Sequence, residues 1–248
     1  AGMFGGRLAK TADHAALKRA EELAAKGAPR EDIWSQTGWF KGVDGKWRFE
    51  IDDSRMAPRN AADWTPKGKQ WDSLEQSWIE PRESFHGLRN SGKSNSLAGG
   101  HGAFSHDALV AAYPDVADIR LGIQQSDGGV YSPPFNGRPE RITLQDVLDI
   151  DEAKSIAAHE IQHAIQQRET FGRGAERRGW GADAEKSYWN TSGEVEARAV
   201  QNRLDLTPEQ RRERAPWLDY DVPENRQIVG FDNSLKEILN RYGLLAAS

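Results

Sequence analysis

The chain has 248 residues, 37% of them hydrophobic and 29% charged, enough to bury one sizeable core with an appended smaller lobe. Its 33 basic and 38 acidic side chains leave a formal charge of -5, which supplies no strong positive field for nucleic acid or an anionic membrane. There is no cysteine, which excludes disulfides, thiolate metal sites and cysteine nucleophiles and leaves His, Asp and Glu as the strong metal ligands.

The amino-terminal stretch AGMFGGRLAKTADHAAL lacks the uninterrupted apolar run that a signal peptide or membrane span needs, and no later segment supplies one. A soluble protein is expected. Ala1 and Gly2, ahead of Met3, read as a tag remnant or a cut end of a longer polypeptide, and are expected to lie outside the fold. Thr11 to Ala25 reads as a helix, with Ala16, Ala20, Leu23 and Ala24 on one face and Gly27 and Pro29 beyond its end. A shorter helix is expected from Arg30 to Gln36, stopped at Gly38. Gly45 to Ile51 then alternates Trp47, Phe49 and Ile51 as a half-buried strand does.

From about Asp53 to Gly102 the chain is rich in Pro, Gly, Ser and Asn and carries Trp64, Trp71 and Trp78, predicting irregular structure pinned by aromatic anchors. Asp107 to Tyr113 reads as a short helix stopped by Pro114. Short strands follow at Ile119 to Ile123, Gly129 to Tyr131 and Arg141 to Leu144, which predict a small, mostly antiparallel sheet. A helix capped near Asp151 runs to about Gln167, with Ala157, Ile161, Ala164 and Ile165 as its apolar stripe. Gly172 to Gly181 holds four glycines and is expected to be a mobile loop. Glu194 to Leu204 is expected to be helical. Pro208, Pro216 and Pro223 break the remainder before a last helix near Ser234 to Tyr242.

The chemistry concentrates in His159-Glu160-Ile161-Gln162-His163. Two histidines four residues apart project from one helix face and can meet on a single ion, with Glu160 beside them as general base. Zinc suits such a set because it takes nitrogen and oxygen donors and leaves a place for water when the protein gives three. A third ligand is sought in Gly193 to Arg198, with Glu194 as the choice and Glu196, about 200 degrees around the helix, as the alternative. Glu194 also fits a capping box with Thr191, in which it would only reach back to the backbone. Tyr188 is a candidate oxyanion donor, its competing reading being a packing pair with Trp189. His14, His86, His101 and His106 read as solvated or structural, with His101 and His106 held as reserve ligands.

HExxH followed some thirty residues later by Glu-x-x-Ala resembles the glutamate-ligand zincin metallopeptidases. That resemblance implies zinc held by His159, His163 and Glu194, with Glu160 as base. It also implies an α+β fold with a minimal zincin-like core: a small sheet, the HExxH helix and a second helix bearing the glutamate. Relatives often carry an Asp after the Ala to orient a histidine, and here Arg198 stands in that place. More widely, FGGRLAKTADHAAL, TGWFKGVDGKWRFEIDDS, FSHDALVAAYPDVADIRL, HEIQHAIQQ and GEVEARAVQNR look like a domain of the large polyvalent proteins of bacteriophages and prophages.

These readings divide the chain into an N-terminal helical and Trp-rich extension at 1–100, a core at 101–205 and a Pro-broken tail at 206–248. The expected function is a zinc endopeptidase acting on a phage or host protein, in the bacterial cytoplasm or the virion. The alternative is a noncatalytic phage module whose zinc stabilises the fold, which a fourth protein ligand such as His101 or Glu196 would favour. A third reading, nucleic-acid binding through Arg211, Arg212 and Arg214, is disfavoured by the acidic balance and by the interleaved Glu209 and Glu213. Neither nucleic acid nor membrane is an expected partner; a protein or peptide substrate is.

Overall fold

A computed structural model describes residues 2–59, 70–72, 77–79, 96–98, 102–124, 128–145, 150–174 and 182–229. The chain opens with strand β1 (Gly2–Gly5), so Gly2 belongs to the fold after all: it pairs with Asp52 at the end of β3 (Trp47–Asp52). Helix α1 (His14–Ala25) starts three residues later than expected because Asp13 caps it, its side chain accepting the Ala16 N–H at 2.9 Å. The buried face of α1 is Leu17 and Ala20. Helix α2 (Arg30–Thr37) stops at Gly38, whose φ of 74° is the left-handed conformation that glycine adopts without a Cβ penalty. Strand β2 (Trp39–Lys41) then pairs with β3, giving an antiparallel sheet in the order β1-β3-β2.

The alternation read in β3 accounts for only one of its faces. Arg48 and Glu50, on the other face, meet Glu196 and Arg203 and are covered rather than solvated. The strand is buried on both sides because charged groups there are paired across the interface.

Two short antiparallel pairs follow in the region expected to be irregular. β4 (Ala57–Pro58) joins β7 (Phe104–Ser105), and β5 (Gln70–Asp72) joins β6 (Ser77–Ile79) with Trp71 opposite Trp78 in register. Trp64 lies outside the described residues. Helix α3 (Asp107–Ala112) is followed by a single turn, α4 (Pro114–Ala117), which begins on the proline that ends the first.

The three strands expected next are present as β8 (Arg120–Gln124), β9 (Gly129–Ser132) and β10 (Arg141–Gln145). Their order is β8-β10-β9, with β9 antiparallel and β8 parallel to β10, so this sheet is mixed while the other pairings are antiparallel. A turn with positive φ at Asn136 (47°) and Gly137 (77°), between prolines 134 and 139, reverses the chain into β10.

Helix α5 (Ile150–Glu169) crosses this sheet and β1. Ala157, Ile161, Ala164 and Ile165 are fully buried, as the stripe predicts. Gln162 and Gln166 are buried too, so the helix is enclosed beyond its apolar face. Helix α6 (Ala182–Asn190) leads through Thr191 into α7 (Ser192–Asn202), which lies along α5. Helix α8 (Pro208–Glu213) has a reciprocal capping box between Thr207 and Gln210, and two 3-10 turns follow at Pro216–Asp219 and Glu224–Arg226. The helix expected near Ser234 to Tyr242 lies outside the described residues.

One core joins Met3, Phe4, Phe40 and Ile51 of the first sheet to Leu109, Ile142, Leu144, Ile161, Ile165 and Val200. A smaller cluster of Leu17, Ala20, Ile33 and Trp39 seals α1 and α2 onto β2. Among the described residues no helix is long and apolar enough to cross a membrane.

Candidate metal centre

Helix α5 presents His159 and His163 one turn apart, and α7 brings Glu194 to them from its first turn. The two Nε2 atoms are 3.1 Å apart. Each faces its own oxygen of Glu194, His159 Nε2 to Oε2 and His163 Nε2 to Oε1, both at 3.4 Å. Among the described residues these three form the group that could hold a metal ion.

Thr191 does N-cap α7, but its hydroxyl donates to Ser187 O at 2.9 Å and makes no cap bond, so the capping-box reading of Glu194 is corrected. The carboxylate turns toward the histidines instead. Burial would raise its pKa, yet hydrogen bonds from His159 and His163 hold it well below the usual carboxylate range. His163 shows the complement: burial opposes its charge, but Glu194 and then Glu160 draw it up to about 9.

Glu196, the alternative ligand, is turned away from the histidines and outside the three-residue group. Its Oε2 accepts from Arg48 Nε in a short ion pair, while its Oε1 receives Gln162 Nε2 at 2.8 Å and Gln166 Nε2 at 3.1 Å. The helical rotation that separates it from Glu194 turns it toward the N-terminal sheet. Of the reserve histidines, His101 is outside the described residues, and buried His106 caps α3, its Nδ1 accepting Leu109 N–H at 3.2 Å.

The orienting task that Arg198 cannot perform falls to two glutamines. Gln201 Oε1 lies 3.0 Å from His159 Nδ1, and Gln166 Oε1 lies 2.8 Å from His163 Nδ1. An acceptor at Nδ1 keeps a proton there, so Nε2 is the nitrogen left to face the shared point, with a proton toward Glu194 in metal-free protein and with its lone pair toward a metal when one is bound. Arg198 pairs with Asp221 at 2.6 and 3.0 Å and stacks on Trp189.

Glu160 lies against β9. A Cβ on Gly129 would stand 2.7 Å from its Cγ and Oε1, so only a glycine lets the strand pass this close. Burial lifts the Glu160 pKa, as does Glu194, against the lowering effect of His163, His159 and a backbone hydrogen bond from Tyr131. The strand beside Glu160 is therefore β9. Tyr131 is pinned by its hydroxyl to Glu140 Oε1 at 2.5 Å, and Arg168 clamps the same carboxylate with two bonds of 2.8 Å.

The start of the glycine loop is built into the site rather than left free. Gly172 N–H donates to Asp44 Oδ2 at 2.8 Å. Gly174 lies so near that a Cβ would meet His163 Cε1 at 2.5 Å and Glu194 Oε1 closer still, and Gly193 gives the Arg173–Gly174 backbone room to cross α7. Residues 175–181 lie outside the described part. Tyr188, on α6, packs edge to face with Trp189, ring centroids 6.3 Å apart. Arg211 faces Asp52 (3.0 Å) and Asp53 (3.3 Å), Arg212 faces Glu209 (3.0 Å) and Arg214 faces Asp219 (2.5 Å), so each of the three has a carboxylate partner.

Fold and site together define a mixed α/β protein with small sheets and a three-donor group able to take a metal ion. Residues 2–60 match the family model of large polyvalent protein associated domain 23, so this segment resembles the domains of polyvalent proteins. The match ends ahead of every member of the donor group but includes Asp44 and Arg48. No curated protein and no solved structure matches the chain.

Proposed function

We propose that the protein is a zinc-dependent endopeptidase, with His159, His163 and Glu194 holding the metal and Glu160 serving as general base. The observation that carries this reading is the convergence of His159 Nε2, His163 Nε2 and the Glu194 carboxylate on one point. Donors ~2.0–2.1 Å from a tetrahedral zinc stand about 3.3–3.4 Å from one another. The two Nε2 atoms stand 3.1 Å apart and each lies 3.4 Å from a different oxygen of Glu194; with one oxygen taken as the donor, the three ligand atoms lie within 4.8 Å of one another, and both histidines already hold their Nδ1 atoms against glutamine oxygens. Nitrogen and carboxylate donors without thiolates suit zinc, and three protein ligands leave a position open for chemistry.

Zinc, when bound, supplies Lewis acidity toward water and toward the substrate carbonyl. Glu160 takes the proton of the attacking water on its carboxylate and passes it to the departing amine. Its buried position, with a pKa above the ordinary value, suits a group that must both accept and return a proton near neutrality. Among the described residues β9 is an edge strand running past Glu160, and an extended substrate segment would add to that edge by main-chain hydrogen bonds. Tyr188 is proposed as oxyanion donor if α6 brings its hydroxyl in with substrate. The resemblance of residues 2–60 supports a role as a module of a phage or prophage polyvalent protein, acting on phage or host protein.

The test is cleavage of a quenched-fluorescence peptide library by the zinc-loaded protein, with new termini identified by mass spectrometry. Peptide-bond cleavage that a chelator abolishes and zinc restores is expected. A folded, zinc-loaded protein that cuts nothing, with the same outcome on unfolded protein substrates, would contradict the proposal.

A further inference from the structure

The two histidines are oriented by different means. Gln201, which faces His159, is held locally: its Nε2 donates to Ser155 O at 3.3 Å and to Ser155 Oγ at 3.1 Å. Gln166, which faces His163, is held by α7, at a residue that is itself tied to the N-terminal sheet. Its Nε2 donates to Gly193 O at 2.9 Å and to Glu196 Oε1 at 3.1 Å. Both partners can only accept, so the amide cannot turn over without setting oxygen against oxygen at two places. Its own oxygen must therefore be the end at His163 Nδ1.

Glu196 is held in turn by the N-terminal segment. Arg48 Nε donates to its Oε2, and the same guanidinium grips Asp44 through Nη1 at 2.7 Å and Nη2 at 3.0 Å. Gln162 Nε2 supplies the second amide to Glu196 Oε1, at 2.8 Å, and the same side chain is bonded to both backbone groups of Phe4 in β1. Asp44 also takes the Gly172 N–H, at the start of the loop whose Gly174 lies against His163. Arg48, Asp44 and Glu196 are each at most 5% exposed in their side chains, which leaves water little part in fixing these bonds.

We propose that Arg48 and Glu196 are positioning residues of the metal centre: through Gln166 they hold a proton of His163 on Nδ1 and so turn its Nε2 to the point shared with His159 and Glu194. The segment resembling a polyvalent-protein domain is then a working part of the site, although it contributes no ligand. The inference takes the metal-site reading as its frame, but the tautomer of His163 can be read with or without metal.

The experiment compares wild type with Glu196→Met, which leaves the Arg48–Asp44 pair intact and so strands no buried cation. Arg48→Lys is the second variant, since it keeps the charge and loses the fork that serves both carboxylates. Ring 15N shifts of His159 and His163 are recorded in zinc-loaded protein and in metal-free protein above pH 9, where the His163 ring is neutral, together with zinc affinity. In wild type the Nδ1 of both rings is expected to carry its proton in both states. In either folded variant His163 Nδ1 is expected to move off that value while His159 stays, and zinc affinity to fall roughly 10–100-fold. Folded variants with His163 Nδ1 and zinc affinity unchanged would overturn the proposal. If wild type took up no zinc, the proposed function would fall, and the His163 shift in metal-free protein would still decide this inference. If Glu196→Met failed to fold, Arg48→Lys would decide it by the same shifts.

Discussion

Replacing Gly129 by alanine would drive a methyl group from β9 into the proposed general base while leaving the three donors alone. The added Cβ would lie 2.7 Å from Glu160 Cγ and Oε1 and 2.6 Å from Ile156 Cγ2. Carbon contacts are comfortable at ~3.5–4.0 Å, so the carboxylate or the strand has to retreat by roughly 1 Å. Gly129 is not among the glycines of positive φ, so the substitution brings no backbone strain of its own. A displacement of that size at a reacting group costs on the order of 10²-fold in rate, about 2.7 kcal/mol. Zinc content by elemental analysis and turnover of a cleaved library peptide are to be measured together. Zinc is expected to remain stoichiometric while turnover falls. A folded Gly129→Ala protein with wild-type turnover would refute the placement of Glu160 as the reacting base. Gly174→Ala is the counterpart: its Cβ would strike His163 and Glu194, and zinc itself is expected to be lost.

Glu160→Gln is expected to lower turnover by roughly 10²–10⁴-fold, because the amide cannot take the proton; a loss under tenfold would contradict that. In chelated, metal-free protein, His163 is drawn up to about 9 from its ordinary 6.5. A raised folded-state pKa gives a stabilising contribution fully present below pH 6.5 and lost as pH rises through 9. Urea midpoints of metal-free wild type should accordingly fall across that window relative to His163→Gln, and parallel curves would count against the Glu194–His163 pairing. Ile161→Ala, at a fully buried position between the two histidines, should cost about 2–5 kcal/mol in urea unfolding, and a loss below 1 kcal/mol would argue against the packing of α5.

Much of the scaffold was legible because it follows local rules. The 3.6-residue period of Ala157, Ile161, Ala164 and Ile165 marked α5, and Gly38 marked the end of α2. β1 was missed because Gly2 was read as lying outside the fold, whereas a Cβ there would collide with Glu50 and only glycine admits the strand. Arg48 and Glu50 look solvated in a one-dimensional reading. Their burial depends on Glu196 and Arg203, about 150 residues away along the chain.

At the site, His159 and His163 could be found from spacing, since helix geometry alone puts them on one face, while Glu160 and Glu194 followed from the resemblance of the motif and of Glu-x-x-Ala to the glutamate-ligand zincins. The glutamines could not be singled out that way, because nothing in a glutamine announces which end of its amide faces a neighbour. A signal was nevertheless present: Gln166 stands three residues beyond His163, and Gln201 seven beyond Glu194, which places each on the face of the donor it accompanies. The nearness of Gly129 and Gly174 to the site had no local signature. It arises where β9 and the loop after α5 close over α5 and α7.

The central claim is tested most directly by the zinc content of wild type, His159→Ala, Glu194→Ala and Glu160→Gln, each checked for folding. One zinc per chain is expected in wild type and in Glu160→Gln, and loss of zinc in His159→Ala and Glu194→Ala. A folded wild-type protein that takes up no zinc even after reloading, or a Glu194→Ala protein that keeps it, would contradict the account.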